Sequence, residues 1–441
     1  MTVLATRPEP IVYDTPILAG RQEEIRRRGV VVVKGADRPI AVFHHEGGFY
    51  AVDNRCPHMG FPLHRGSVQD GILTCHWHHA RFDLCSGCAF DLFADDVPAF
   101  DVELRGDEVW VGSLPRRKDL REHHRRRLGQ AMEQNLPLIQ AKAIIGLLRQ
   151  GVDYREIVRD AVLFGVRYRD GWASGLTILT AMANLVPDLA EETAYLALYQ
   201  GVRRTAADCA GMTPRRDRHP LETDEVDANQ LDRWLRTWTI TRHRDGAERT
   251  LLTAIRAGWE QDALTRLVFT AATERFYADT GHVLDFCNKS FEALDLIGWE
   301  HSPQVLPSVM AQLVAARGGE ELNSWRHPAD LVPLVREAEG NLGQWFEQGR
   351  GKAWSDVQAL AGQLLQDDPA GSLGAIETAI RAGARPEQLS SALSYAAALR
   401  IARFGNANEF GDWITALHTF SFCNALHQAI KRCPDPVLVR R

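Results

Sequence analysis

The chain has 441 residues and a mass of 49.3 kDa, with 45% hydrophobic and 24% charged residues, a composition that excludes disordered and collagen-like classes. Its net charge of -6 argues against a nucleic-acid footprint over the whole chain, and eight cysteines are too few for a disulfide scaffold. No apolar run approaches the ~18 residues of a membrane span, and Met1–Pro8 lack the basic-then-apolar layout of a secretion signal. A cytoplasmic protein of two or three domains is expected, at ~100–200 residues per domain.

The first ~112 residues read as β. Gly29–Gly35 is a β-branched run closed by glycine. Ile40–Phe43 and Phe49–Val52 flank Glu46-Gly47-Gly48, a hairpin signal. Asp101–Leu104 and Glu108–Val111 flank Arg105-Gly106-Asp107, which predicts a second hairpin. From Pro115 to Arg127 the run PRRKDLREHHRRR carries seven Lys or Arg against two acids. It is expected to be a solvated linker or helix start, with docking of an acidic partner as the alternative.

Beyond residue 130 the pattern becomes helical and repeats itself. Three helix–glycine–helix signals end at Gly151, Gly258 and Gly383, and Leu264, Leu267, Val268 and Ala271 then follow the second at helical spacing. Arg-His-Pro occurs at Arg218–Pro220 and again at Arg326–Pro328, where the residue before proline is pushed out of helix. His-x3-Phe-Cys-Asn occurs at His282–Asn288 and at His418–Asn424. The matches together predict an α domain built by internal duplication. The expected fold is thus multidomain: an N-terminal all-β domain over 11–112, a basic linker over 113–130, and a large all-α repeat domain over 131–441.

The chemistry concentrates in the β part. Four of the eight cysteines and seven of the sixteen histidines fall between residues 44 and 88. Cys56-Pro57-His58 and Cys75-His76-Trp77-His78 each offer one thiolate and one or more imidazoles on a short loop. Mixed ligation of a [2Fe–2S] pair requires that set: two thiolates on one iron and two neutral imidazoles on the other. Tetrahedral zinc also accepts Cys2His2, although zinc fingers usually pair Cys with Cys and His with His along the chain.

Residues 11–112 resemble the Rieske family, through Asn54–His58 and Cys75–Asp83. The resemblance implies a [2Fe–2S] cluster with Cys56 and Cys75 on one iron and His58 and His78 on the other. It is to oxygenase-type and ferredoxin-type members. The additional cysteine that respiratory Rieske proteins carry in each loop is missing, and Ala80 and Phe82 replace their serine and tyrosine. Hydroxyl donors at those places favour the reduced cluster, so a potential in the lower part of the Rieske range, about -150 to +300 mV, is expected. Cys85-Ser86-Gly87-Cys88 has redox spacing but matches an ordinary turn. His64 and His79 are expected to be surface or hydrogen-bonding groups.

Typical Rieske oxygenases also hold mononuclear iron through Asp-x2-His-x4-His in a mixed α/β domain. Here Asp279-x2-His282 is followed by Cys287 at the second histidine place, and the paired Glu-x-x-His signal of di-iron bundles is absent from the sequence. The candidates in the helical half are His282 and His418, with Asp279, Asp285, Asp412, His301, His327 and His427 behind them. They could serve a second metal, a haem or a small-molecule substrate, or be duplicated packing residues. Cys287 and Cys423 read as buried small residues. The histidine-bearing repeats are faintly similar to helical questin-oxidase-like proteins, from which no residue is carried over.

The expected function is single-electron transfer to oxidative chemistry in or beside the helical half, a monooxygenase-like oxidoreductase fed by a reductase or ferredoxin. A non-enzymatic carrier whose helices dock a partner reductase or oxygenase is the alternative, and a redox sensor a third. No nucleic-acid or membrane partner is expected.

Overall fold

The computed structural model describes residues 15–35, 37–116, 119–223 and 227–435. Arg117 and Lys118 of the basic run, residues 11–14 of the expected β domain and the last six residues lie outside them. The chain forms two compact units, Met1–Ile157 with Leu185–Ala210, and Val158–Asn184 with Gly211–Arg441.

In the first unit, β1 (Ile17–Arg21), a short helix α1 (Gln22–Arg28) and β2 (Val30–Lys34) are followed by the hairpin β3 (Pro39–His45) and β4 (Gly48–Asp53). Next come β5 (Ser67–Gln69), β6 (Ile72–Thr74) and β7 (Arg81–Asp83), then the hairpin β8 (Ala99–Arg105) and β9 (Glu108–Pro115). Both expected hairpins and the Val30–Lys34 strand are present. A short 3-10 turn at Leu63–Arg65 and the helix α1 interrupt the otherwise all-β part; Glu23 and Glu24 begin α1, Arg26–Arg28 end it, and its buried residue is Ile25.

The strands form an antiparallel six-stranded sheet, β1-β9-β8-β4-β3-β2, and an antiparallel three-stranded sheet, β5-β6-β7. Alternation along β3 divides the interior. Ile40 and Val42 join Ile25, Phe100 and Val109, whereas Ala41 and Phe43 join Leu63, Leu73 and Phe82. Cys56 and Cys75 belong to the second of these cores.

The helices are α2 (Leu120–Glu133), α3 (Pro137–Arg149), α4 (Tyr154–Tyr168), α5 (Ser174–Leu185), α6 (Glu191–Cys209), α7 (Ala228–Thr241), α8 (Arg244–Arg256) and α9 (Gln261–Ala272). They continue as α10 (His282–Ile297), α11 (Ser302–Val305), α12 (Pro307–Ala315), α13 (Leu331–Gly349), α14 (Val357–Leu364), α15 (Pro369–Arg381), α16 (Pro386–Ala402) and α17 (Phe410–Arg432). The all-α expectation for the second part of the chain holds. Among the described residues no helix is long and apolar enough to cross a membrane.

The compact units do not divide at 113–130. That segment is the end of β9 and most of α2, and α2, α3 and α6 lie in the same unit as the strands. The reason is local: Arg127 donates to the carbonyls of Leu92 and Ala94, and His123 Nε2 lies 2.9 Å from Asp95 Oδ1. The helix-start reading of the arginine-rich run thus holds from Leu120, and His123 and Arg127 turn one face of that helix onto the β7–β8 connection.

The three expected helix–glycine–helix signals are real turns. Gly151, Gly258 and Gly383 all have positive φ, at 69°, 76° and 103°. In each, the next residue's N–H returns to the carbonyl five residues back: Val152 to Leu147, Trp259 to Ala254 and Ala384 to Ala379. This is the Schellman closure that glycine favours. The Arg-His-Pro copies differ. Arg326–Pro328 lies just before α13, but Arg218–Pro220 sits in the irregular stretch between α6 and α7. There Arg218 bonds Asp245 and Glu248, a clamp and not a helix boundary.

Candidate functional site

Two loops with one backbone design carry the Cys–His pairs. In the first, Cys56 N–H donates to Phe61 O and Gly60 N–H donates to Cys56 O; in the second, Cys75 N–H donates to Ala80 O and His79 N–H to Cys75 O. The fifth residue of each loop is left-handed, Gly60 at φ 84° and His79 at φ 60°. His79 is thus an exposed turn residue, tolerated there at some cost. His64 accepts a bond from neither loop; its backbone N–H and ring Nδ1 lie 2.8 and 2.9 Å from Asn54 Oδ1.

The matched loops bring the four chemical residues together. Cys56 and Cys75 are 3% and 1% exposed. Burial pushes the Cys56 thiol up to about 11, and the adjacent Cys75 adds to this. The His58 and His78 rings stand edge to face with centroids 4.8 Å apart, with His78 exposed. His58 Nδ1 is buried with no hydrogen-bond partner, an orphan that a metal bond would satisfy. Burial, then His78 and Lys142, hold the His58 imidazole below its ordinary value, which keeps it neutral as a ligand must be. Two buried sulfurs beneath two imidazoles at the surface fit a [2Fe–2S] pair.

Around this set, Phe93 packs edge-on to His58 and Trp77 contacts both Phe61 and His78. Ala80 and Phe82 are fully buried and offer no hydroxyl. Lys142 on α3, which the sequence did not single out, donates to the carbonyls of Pro57 and His58. Its ammonium favours added negative charge on a cluster held by these loops. Cys85 and Cys88 lie exposed on a turn whose backbone bonds run from Gly87 to Asp83 and from Asp83 to Cys88.

In the second unit the structure joins His282 and His418, the first residue of α10 and a residue of α17, with ring centroids 4.5 Å apart. The two His-x3-Phe-Cys-Asn segments are 136 residues apart in sequence, and their helices run side by side in the same direction: 13 residues after His282, Asp295 bonds Arg432. Burial and then His418 hold His282 below its ordinary value. Phe286 stacks on His282, and Tyr277 meets Phe422. The approach to His282 is strained: Tyr277, Asp279 and Thr280 all have φ near 50° without being glycine. Gly281, at φ 90°, is needed because a Cβ there would lie 2.7 Å from Phe422 Cβ.

The remaining candidates disperse. Asp412 accepts from the Glu409 N–H as a cap of α17, His427 Nδ1 lies 2.9 Å from Ser390 Oγ, and His301 and His327 lie in short turns. Cys287 and Cys423 are buried, as expected. Asp285 is 8% exposed, and burial pushes its carboxyl up to about 6, with Lys289 pulling the other way. Because the folded state holds this proton more tightly than the unfolded chain, ionisation costs stability as pH rises from about 4 to about 6. Asp285→Asn removes that cost. We expect the variant to exceed the wild type by up to about 3 kcal/mol at pH 7 and to converge with it below pH 4, as measured by urea unfolding.

Residues 15–100 match the Rieske [2Fe-2S] domain. The ferredoxin component of the naphthalene 1,2-dioxygenase/salicylate 5-hydroxylase systems of Ralstonia sp is 31% identical over 90 residues, 20% of this chain and 86% of that protein. The chain therefore belongs to the Rieske family, and its Rieske domain implies a [2Fe–2S] electron-transfer group. A human Rieske domain-containing protein is 32% identical over 87 residues, 19% of this chain and 55% of the relative, so the chain spans about half of that protein's length. The ferredoxin of carbazole 1,9a-dioxygenase from Nocardioides aromaticivorans IC177 is similar over 23% of this chain and 99% of its own, with 24% identity and a TM-score of 0.22.

Proposed function

We propose that Cys56 and Cys75 ligate one iron of a [2Fe–2S] cluster and His58 and His78 the other, and that the cluster passes single electrons to oxidative chemistry in or beside the helical part. The observation that carries the cluster assignment is the edge-to-face His58–His78 pair above two buried thiols. When bound, the cluster supplies one electron at a time. The protein buries the sulfur side, holds the His58 imidazole neutral, and opens His78 to an electron donor such as a reductase or ferredoxin. The absence of hydroxyls at Ala80 and Phe82 supports a potential in the lower Rieske range.

For the helical half, the His282–His418 pair is the candidate place of oxidation of a small molecule. Strained backbone held beside two half-buried imidazoles in ring contact supports a role beyond packing. The pairing of equivalent positions supports construction of this half by duplication. The carrier reading is favoured by the similarity to a ferredoxin component, and one experiment separates the two. The full chain is reduced with dithionite, its Rieske-type EPR signal recorded, and reoxidation by O2 timed in wild type and in His282→Ala. A missing signal removes the cluster assignment. Slowed reoxidation in the variant supports internal chemistry, and an unchanged rate leaves an electron carrier.

A further inference from the structure

A third group of metal-binding side chains lies in the first unit. Asp95, in the β7–β8 connection, and His123 and His124, in the first turns of α2, each place one donor atom within 4.8 Å of the others. Each residue is held by its surroundings. Arg127 fixes the loop before Asp95 through the Leu92 and Ala94 carbonyls. Its Nε stands 3.6 Å from Asp95 Oδ1, and a carboxylate has further lone pairs to offer. His123 is 7% exposed, with Nε2 2.9 Å from Asp95 Oδ1 and Nδ1 facing the Asp96 carboxylate at 3.7 Å. Asp96 is itself oriented by the Ala89 N–H at 2.9 Å.

His124 occupies space made by a glycine: a Cβ on Gly146 of α3 would lie 2.4 Å from its Nε2. Its Nδ1 is buried and has no hydrogen-bond partner, and neither has His123 Nδ1. With His123 Nδ1 turned to Asp96, the His124 Nδ1 is the buried nitrogen left unsatisfied, and such an orphan points to a missing partner.

We propose that Asp95, His123 and His124 bind one first-row divalent transition cation, with Asp96 orienting His123 from behind. Two imidazoles and a carboxylate suit Zn2+ or Fe2+, whereas Mg2+ and Ca2+ prefer oxygen alone. Carboxylate–histidine–metal alignment is the usual outer support for such a ligand. Donors on a tetrahedral zinc stand about 3.4 Å apart, so small side-chain rotations close the set. Three protein donors leave a position for water or a small ligand. The site shares no residue with Cys56, His58, Cys75 or His78, and its failure is distinguishable from failure of the cluster.

The test uses the cluster-containing full chain, treated with EDTA, desalted, exposed to excess Zn2+ and desalted again before metals are counted. Wild type and His219→Gln should retain one zinc per chain beside an unchanged cluster signal. Asp95→Asn and His124→Gln, which preserve side-chain size, should lose it while keeping iron content and the reduced EPR spectrum. Gly146→Ala, which displaces His124 without removing a donor, should lose it too. No zinc in wild type, or equal zinc in the donor variants, overturns the proposal.

Discussion

Cys75→Ser is expected to abolish the cluster: iron content falls to background, the visible absorbance bleaches, and the reduced EPR signal vanishes. Cys75 is 1% exposed and faces Cys56 within the apolar core that contains Leu73, Ala80 and Phe82. A serine hydroxyl there is a hard, protonated oxygen in place of a thiolate, and no other sulfur lies in either loop to substitute, apart from the Met59 thioether. Cys85→Ser, on the exposed turn, should keep the full iron and the full signal. Retention of the signal in Cys75→Ser would sink the ligand assignment.

The second large effect is on stability. Glu248 of α8 is fully buried and is met by three arginines: Arg215, itself 9% exposed, Arg218 at 3.3 Å and Arg244 at 2.7 Å. Asp170 takes a share of Arg244, which keeps that guanidinium protonated. Glu248→Ala leaves Arg215 buried without its main counter-charge, for which a loss of about 3–5 kcal/mol is expected. Circular dichroism at 222 nm during urea unfolding measures it. Asp245→Ala removes only the exposed partner of Arg218 and should cost under about 1 kcal/mol. Equal losses in both variants would refute the assignment of Glu248 as the hub.

The contrast between these regions explains what could be read in advance. The cluster loops were legible because each is closed by its own backbone bonds and carries its chemistry within four residues, Cys56–His58 and Cys75–His78. The hairpins were legible from glycine turns between alternating strands. His282 and His418 were found because the sequence carries the His-x3-Phe-Cys-Asn motif twice. Their contact was not legible, because which face of α10 meets α17 is set by packing across the whole unit. Lys142 and the Asp95–His123–His124 group were missed for a related reason. Asp95 lies 28 residues from His123, Lys142 lies 84 from His58, and the two histidines were hidden in a run whose arginines suggested a solvated linker or helix start. Arg127 donates to buried carbonyls, which charge counting has no means to anticipate.

The alternation along β3 also sets where this chain can accept insertions. Ala41 and Phe43 face the core that holds both cysteines, and Ile40 and Val42 face the other, while β3 pairs with β2 on one side and β4 on the other. One added residue within this strand would exchange the two sets and send Phe43's ring to the wrong side of the sheet. The damage would reach Cys56 without any residue near it being altered. Glu46-Gly47, at the tip of the same hairpin, lies outside both cores, so length variation there leaves the register intact. Homologous chains should therefore differ in length at this tip and keep β3 constant, and a tag or reporter segment is best placed at the tip.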